Sequence, residues 1–231
     1  MGGQACVFYG AAQVSKDVDF LLLADAENFK RLHTALAKLK ASSIAVPRFD
    51  PAALARGHAV HFRCQAPGVE GLRIDLMTKL RDLPDFELLW ERRTVVGDEG
   101  GAEFNLLSVP DLVRAKKTQR SKDWPMIEAL VAIHFRENGD APTPAWTEFW
   151  LMEARSPELL LELARRFPAE TARHQPARPL LTLAIDGNLS AVREALDAET
   201  RAEQEKDRIY WEPLKREMEA FRRAERDPGA A

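Results

Sequence analysis

The chain has 231 residues, with 33 Lys and Arg against 36 Asp and Glu, a formal net charge of −3 and 45% hydrophobic residues. That composition supports a globular core and excludes disorder, while Cys6 and Cys64 are too few for a disulfide framework. No apolar run reaches the ~18 residues of a membrane span and no charged-then-apolar leader opens the chain, so a cytoplasmic protein without a membrane partner is expected, and near-neutral charge confines any anion site to a local cluster.

Gly2 and Gly3 stand ahead of a predicted short helix, where bare backbone N–H groups and the helix dipole favour an anion. A strand is predicted over residues 17–23. Side chains alternate along it, so Asp17 and Asp19 share one face and Val18 takes the other. Two carboxylates aimed at one point repel each other. A solvated strand end tolerates this, and a hard divalent cation, which takes oxygen ligands and shares them with phosphates, would exploit it. Asp25 then caps a helix running to about Ala41, with Phe29, Leu32, Leu36 and Leu39 on one face.

Strands are predicted over 58–64 and 72–78, separated by the turn-prone Ala66-Pro67-Gly68. In the second, Leu72, Ile74 and Leu76 share one face, and Asp75 takes the other with Arg73 and Met77. A lone acid in such a strand faces solvent. If its strand lies beside the first, however, three carboxylates can hold two metal ions and stabilise both oxygens of an in-line phosphoryl displacement. A hairpin over 94–96 and 102–107 follows, and Ser108 with Pro110 marks a helix start. Between Arg114 and Lys122 lie five bases and no acid. On a helix Lys116 and Arg120, four apart, are neighbours able to grip a triphosphate, or equally a solvated helix end. Another helix is predicted over 124–138, stopped by Gly139. Mixed strands and helices joined by hairpins point to an α+β fold.

The Gly and Pro residues of 138–144 mark a seam, dividing the chain into an α+β domain over 1–140 and a smaller all-helical region over 141–231. The first part carries 19 bases and 19 acids, so the acidic surplus lies wholly in the second. There, 157–167 and 190–202 have helical periodicity, and 203–226 reads as a charged helix with Ile209, Leu214, Met218 and Phe221 on its apolar side. Such a region can cap a cleft, select an acceptor or form a protein contact. His58 and His61 stand at odd separation in a strand and face opposite ways, which makes them poor co-ligands. His33 and His174 have no partner in sequence; His134, on a helix beside Ile133, reads as structural, and the two cysteines and Trp90, Trp124, Trp146, Trp150 and Trp211 read as packing residues.

In their order, Gly2-Gly3, a short helix, Asp17-x-Asp19, a later strand Asp75 and the segment Lys116-x-x-x-Arg120-x-x-Asp123 resemble the polymerase-beta-type nucleotidyltransferase superfamily. The likeness is greatest to its minimal bacterial and abortive-infection members, and it covers roughly residues 1–135. It implies a mixed sheet flanked by helices, two Mg²⁺ ions, and transfer of a nucleoside monophosphate from a nucleoside triphosphate such as ATP to an acceptor hydroxyl on RNA, protein or a small molecule. By the same resemblance Asp17, Asp19 and Asp75 would be the catalytic metal ligands, with Asp75 also a possible general base. Gly2 and Gly3 would cradle phosphates, Lys116 and Arg120 would hold the pyrophosphate, and Asp123 would orient Arg120. Gly3 stands where the family most often has Ser, Gln13 and Ser15 stand where relatives often carry Arg and Thr, and the strand that leads into the motif would lie upstream of Met1. The alternative reading is a catalytically silent member of the fold, a binding or regulatory module of a toxin–antitoxin or phage-defence pair, with a protein partner or a second copy.

Overall fold

Four short strands, of which the three longer ones alternate apolar and polar side chains, make the sheet that organises the N-terminal part of the chain. The computed structural model describes residues 1–226, in two units. The first comprises Met1–Phe8, Ala12–Ala115 and the chain from Ile209 onward; the second comprises Tyr9–Ala11 and Lys116–Arg208. The expected boundary at 140/141 therefore moves to 115/116. The physical reason is the helix over 124–138, whose buried Ile127, Leu130, Val131 and Phe135 belong to a helical core rather than to the sheet.

In the first unit, α1 (Gly2–Phe8) precedes β1 (Asp17–Leu21), α2 (Ala26–Lys38), β2 (Ser42–Ser43) and α3 (Pro51–Arg56). Then come β3 (Val60–Arg63), β4 (Arg73–Met77), α4 (Phe86–Glu91), β5 (Thr94–Gly97), β6 (Glu103–Leu106) and α5 (Val109–Ala115). Asp25 caps α2 by accepting from the Asn28 N–H at 2.7 Å, as its type and place predict. The helix ends at Lys38 rather than near Ala41, because Lys40 turns to a positive φ of 47° and the Ala41 N–H bonds back to the Leu36 carbonyl. The strand expected over 58–64 begins at Val60, since the His58 N–H donates to Ala53 at the end of α3.

The sheet order is β1-β4-β3-β2. β3 pairs antiparallel with β4 as the turn between them predicts, whereas β1 lies parallel to β4, so the sheet is mixed and its first connection is a crossover rather than a hairpin. Val60, Phe62, Ile74 and Leu76 face the core with Leu36, Leu54 and Cys64. Burying each of the larger side chains contributes about 1.5–3 kcal/mol, which fixes the register, because a one-residue slip would put charge into this core. The β5–β6 hairpin forms a separate two-stranded sheet. Within this unit Arg56 and His58 both reach Glu217, at 2.8 and 2.9 Å.

The second unit is helical: α6 (Trp124–Asn138), α7 (Pro144–Glu153), α8 (Pro157–Arg166), α9 (Pro168–His174), α10 (Leu181–Ile185) and the first part of α11 (Leu189–Arg226). Trp150 is fully buried, and its indole N–H donates to His134 Nδ1 at 2.9 Å, so both act as packing residues. The two helices expected over 190–202 and 203–226 are one, which runs through Pro213. Glu203–Lys206, Glu205–Arg208 and Glu212–Arg216 pairs support its polar face. Among the described residues no helix is long and apolar enough to cross a membrane.

Candidate active site

The register of the sheet decides which polar side chains meet. Asp19 lies opposite Asp75, and Asp75 opposite His61, so these three form one row across β1, β4 and β3. Asp17 lies opposite Arg73, which lies opposite Arg63, in the next row on the same face. Neighbouring strands are about 4.8 Å apart, and side chains in register share a face, so all six lie on the face of the sheet opposite the apolar core. Asp17, Asp19 and Asp75, expected together from sequence, are thus brought onto one surface.

Gly2 and Gly3 belong to the same place. They form the first turn of α1 rather than preceding it, and Gly2 has φ +69°. A Cβ on Gly2 would fall 1.8 Å from Asp19 Oδ2, and one on Gly3 would fall 2.6 Å from Ser15 Oγ. Only glycine lets the Asp19 carboxylate lie against this backbone. The Met1 ammonium group adds a hydrogen bond to the Asp19 carbonyl at 2.9 Å. Ser15 Oγ donates to the Asp17 carbonyl at 2.9 Å and stands 3.2 Å from the Asp17 carboxylate, which fixes the entry to β1.

Asp75 is held from two sides. Arg73 grips it as a fork, Nε to Oδ1 at 2.7 Å and Nη2 to Oδ2 at 3.0 Å, and His61 Nδ1 lies 2.8 Å from Oδ1. An ionised carboxylate only accepts, so His61 Nδ1 is the donor in this contact. Burial pushes the Asp75 carboxyl up, but the hydrogen bonds from His61 and Arg73 and their charges outweigh it and hold the group below the usual carboxylate range. The lone acid expected to face solvent is therefore buried under its two partners. The Asp75 hydrogen bonds raise the Arg73 pKa in turn, against the opposing effect of burial, and the charges of Asp75, Asp17 and Asp19 act in the same direction.

Lys116 and Arg120 belong to the second unit and meet on Asp123. Lys116 Nζ donates to Asp123 Oδ1 at 3.1 Å, while Thr118 Oγ1 and Arg120 Nε donate to Oδ2 at 2.6 and 2.8 Å. The helical spacing expected for these bases is not their geometry, because α5 stops at Ala115 and only a 3₁₀ turn over Ser121–Asp123 follows. Thr118 accounts for the difference: its hydroxyl bonds both the Arg120 N–H and Asp123, which competes with helix. Burial would raise the Asp123 pKa, but Lys116, Thr118 and Arg120 together hold it below the usual range.

His61, Arg73 and Ser15 are the site residues that sequence reasoning missed. Part of the signal was present for His61: alternation puts it on the face opposite Val60 and Phe62, while its meeting with Asp75 depends on the pairing of β3 with β4. Among the described residues no three His, Cys, Asp or Glu side chains already stand together as a metal cage. Chain and site together define a mixed α/β protein carrying three carboxylates, a guanidinium and an imidazole on one sheet face. No protein-family model matches the chain, and comparison with curated proteins and with solved structures finds no match.

Proposed function

We propose that the protein is a Mg²⁺-dependent nucleotidyltransferase, transferring a nucleoside monophosphate from a nucleoside triphosphate to an acceptor hydroxyl. The observation that carries this reading is the placement of Asp17, Asp19 and Asp75 on one face of two adjacent parallel strands, with Asp19 Oδ2 where a Gly2 Cβ would stand. Three carboxylates are hard oxygen donors of the kind Mg²⁺ takes, and Gly2, which carries no side chain of its own, lets the Asp19 carboxylate sit against the backbone. Asp17 and Asp19 would hold the metal with Asp75 as a third ligand. Bound metal would neutralise the triphosphate and stabilise the entering and departing oxygens. His61 orients Asp75, and Ser15 orients Asp17. Lys116 and Arg120 are held by Asp123, and the reading does not depend on them.

Titration calorimetry with nucleoside triphosphates and Mg²⁺, on wild type and on Asp17→Asn/Asp19→Asn, tests the proposal. Metal-dependent binding that the double variant abolishes supports it; binding indifferent to those substitutions, or none, refutes it. The fork of Arg73 on Asp75 favours a second reading, a catalytically silent module of the same architecture. Pyrophosphate release from a labelled triphosphate, lost in the double variant, excludes that alternative.

A further inference from the structure

Arg73 occupies the position in which a cation satisfies these acids. It lies in register with Asp17, grips Asp75 through both oxygens, and feels the charge of Asp19 as well. The two partners differ in freedom. The Asp75 side chain is 11% exposed and the Arg73 side chain 41%, so the carboxylate is fixed in the wall while the guanidinium sits at its open side. His61 Nδ1 holds Asp75 Oδ1 from the neighbouring strand, and that contact would keep the carboxylate in place after the guanidinium left.

We propose, resting on the nucleotide reading above, that Arg73 is an internal stand-in for the metal, holding Asp75 in the free protein and passing to the triphosphate when a metal–nucleotide complex binds. A guanidinium and a divalent cation compete for the same carboxylate oxygens, so Arg73 opposes binding of the metal alone. The guanidinium fork fits phosphate oxygens as well as carboxylate oxygens. The incoming triphosphate therefore offers Arg73 a replacement partner at the moment the metal takes Asp75. Such a residue has opposite effects on two ligands: it weakens the bare cation and strengthens the cation–nucleotide complex. A residue that only supports the sheet would change both affinities in the same direction.

The test uses the full-length chain and Mn²⁺, whose free ion is read by electron paramagnetic resonance, alone and with a non-hydrolysable nucleoside triphosphate analogue. Wild type is compared with Arg73→Gln, which removes the charge, and Arg73→Lys, which keeps charge but loses the fork and preserves the fold if Gln does not. Arg73→Gln is expected to bind Mn²⁺ alone roughly tenfold more tightly, and the analogue in the presence of Mn²⁺ roughly tenfold more weakly, a coupling of ordinary size for two interacting ligands. Arg73→Lys falls between on the cation and below wild type on the analogue. Both affinities falling together, neither moving, or no Mn²⁺ binding by any form overturns the proposal. If Mn²⁺ tightens in Arg73→Gln yet no form binds the analogue, the nucleotide reading and the hand-over both fail, and only the opposition of Arg73 to cations survives.

Discussion

Asp123→Asn separates a structural from a phosphate-gripping role for the basic segment. The Lys116 and Asp123 side chains are 7% and 1% exposed, so this ion pair is out of water. Asp123 accepts three donors, and replacing one of its oxygens by an NH₂ turns an acceptor toward donors while leaving the Lys116 charge uncompensated. Removing one partner of a buried pair costs about 3–5 kcal/mol, most of it the desolvation of the charge left behind. For a chain of this size that lowers the melting temperature by about 10 °C. Lys116→Met in the Asp123→Leu background removes both charges together and should recover most of the loss, because buried pairs replaced by apolar groups are often neutral. The sign with pH follows from Asp123 being held below its unfolded value of about 3.9: its contribution is complete above that value and is lost as pH falls through the lower folded value. Urea denaturation of the three proteins at neutral pH and in acid measures this. The reasoning is refuted if Asp123→Asn costs less than about 1 kcal/mol, well under the range for a broken buried pair.

Four further outcomes are expected. Gly2→Ala must both adopt φ +69° and displace the Asp19 carboxylate, whereas Gly3→Ala meets the Ser15 hydroxyl and, at 3.2 Å, its Cβ; divalent-cation titration should show the first variant impaired more than the second. Asp75→Asn should flatten the acid limb of the stability curve, since Asp75, held below the usual range, stabilises above about pH 4 and loses its contribution as pH falls further. Acid titration followed by circular dichroism reads that slope. Leu76→Ala, at a position 1% exposed under the charged face, should cost about 2–5 kcal/mol in urea denaturation. Asp25→Ala should cost about 1 kcal/mol by loss of the α2 cap, a small shift on the same assay.

Local signals were legible wherever the cause is local. The Asp25 cap, the β5–β6 hairpin, the Ser108 helix start and α6 follow from side chains within a few residues of the feature they set. Alternation also placed Asp17 with Asp19 and set Asp75 opposite Ile74 and Leu76. What alternation cannot contain is the pairing partner. That Asp19 stands beside Asp75 depends on β1 lying parallel to β4, and that His61 stands beyond Asp75 depends on β3 pairing on the other side. Each contact spans a loop whose length says nothing of register.

The helical geometry expected for Lys116 and Arg120 fails for a different reason. Their spacing fits a helix face, and a helix would present both to solvent. Thr118 and Asp123 lie within the same short stretch and offer the backbone and both bases a closed set of hydrogen bonds instead. Once Lys116 is dry, the pair is held by what surrounds it. The same logic applied to Arg73 gives the opposite answer: an arginine at the open side of an acid cluster retains a path to solvent. By that measure Arg120, whose side chain is 57% exposed, also keeps a path to solvent, and Lys116 does not. The exposures of 41% for Arg73 and 7% for Lys116 place these two bases on either side of that line.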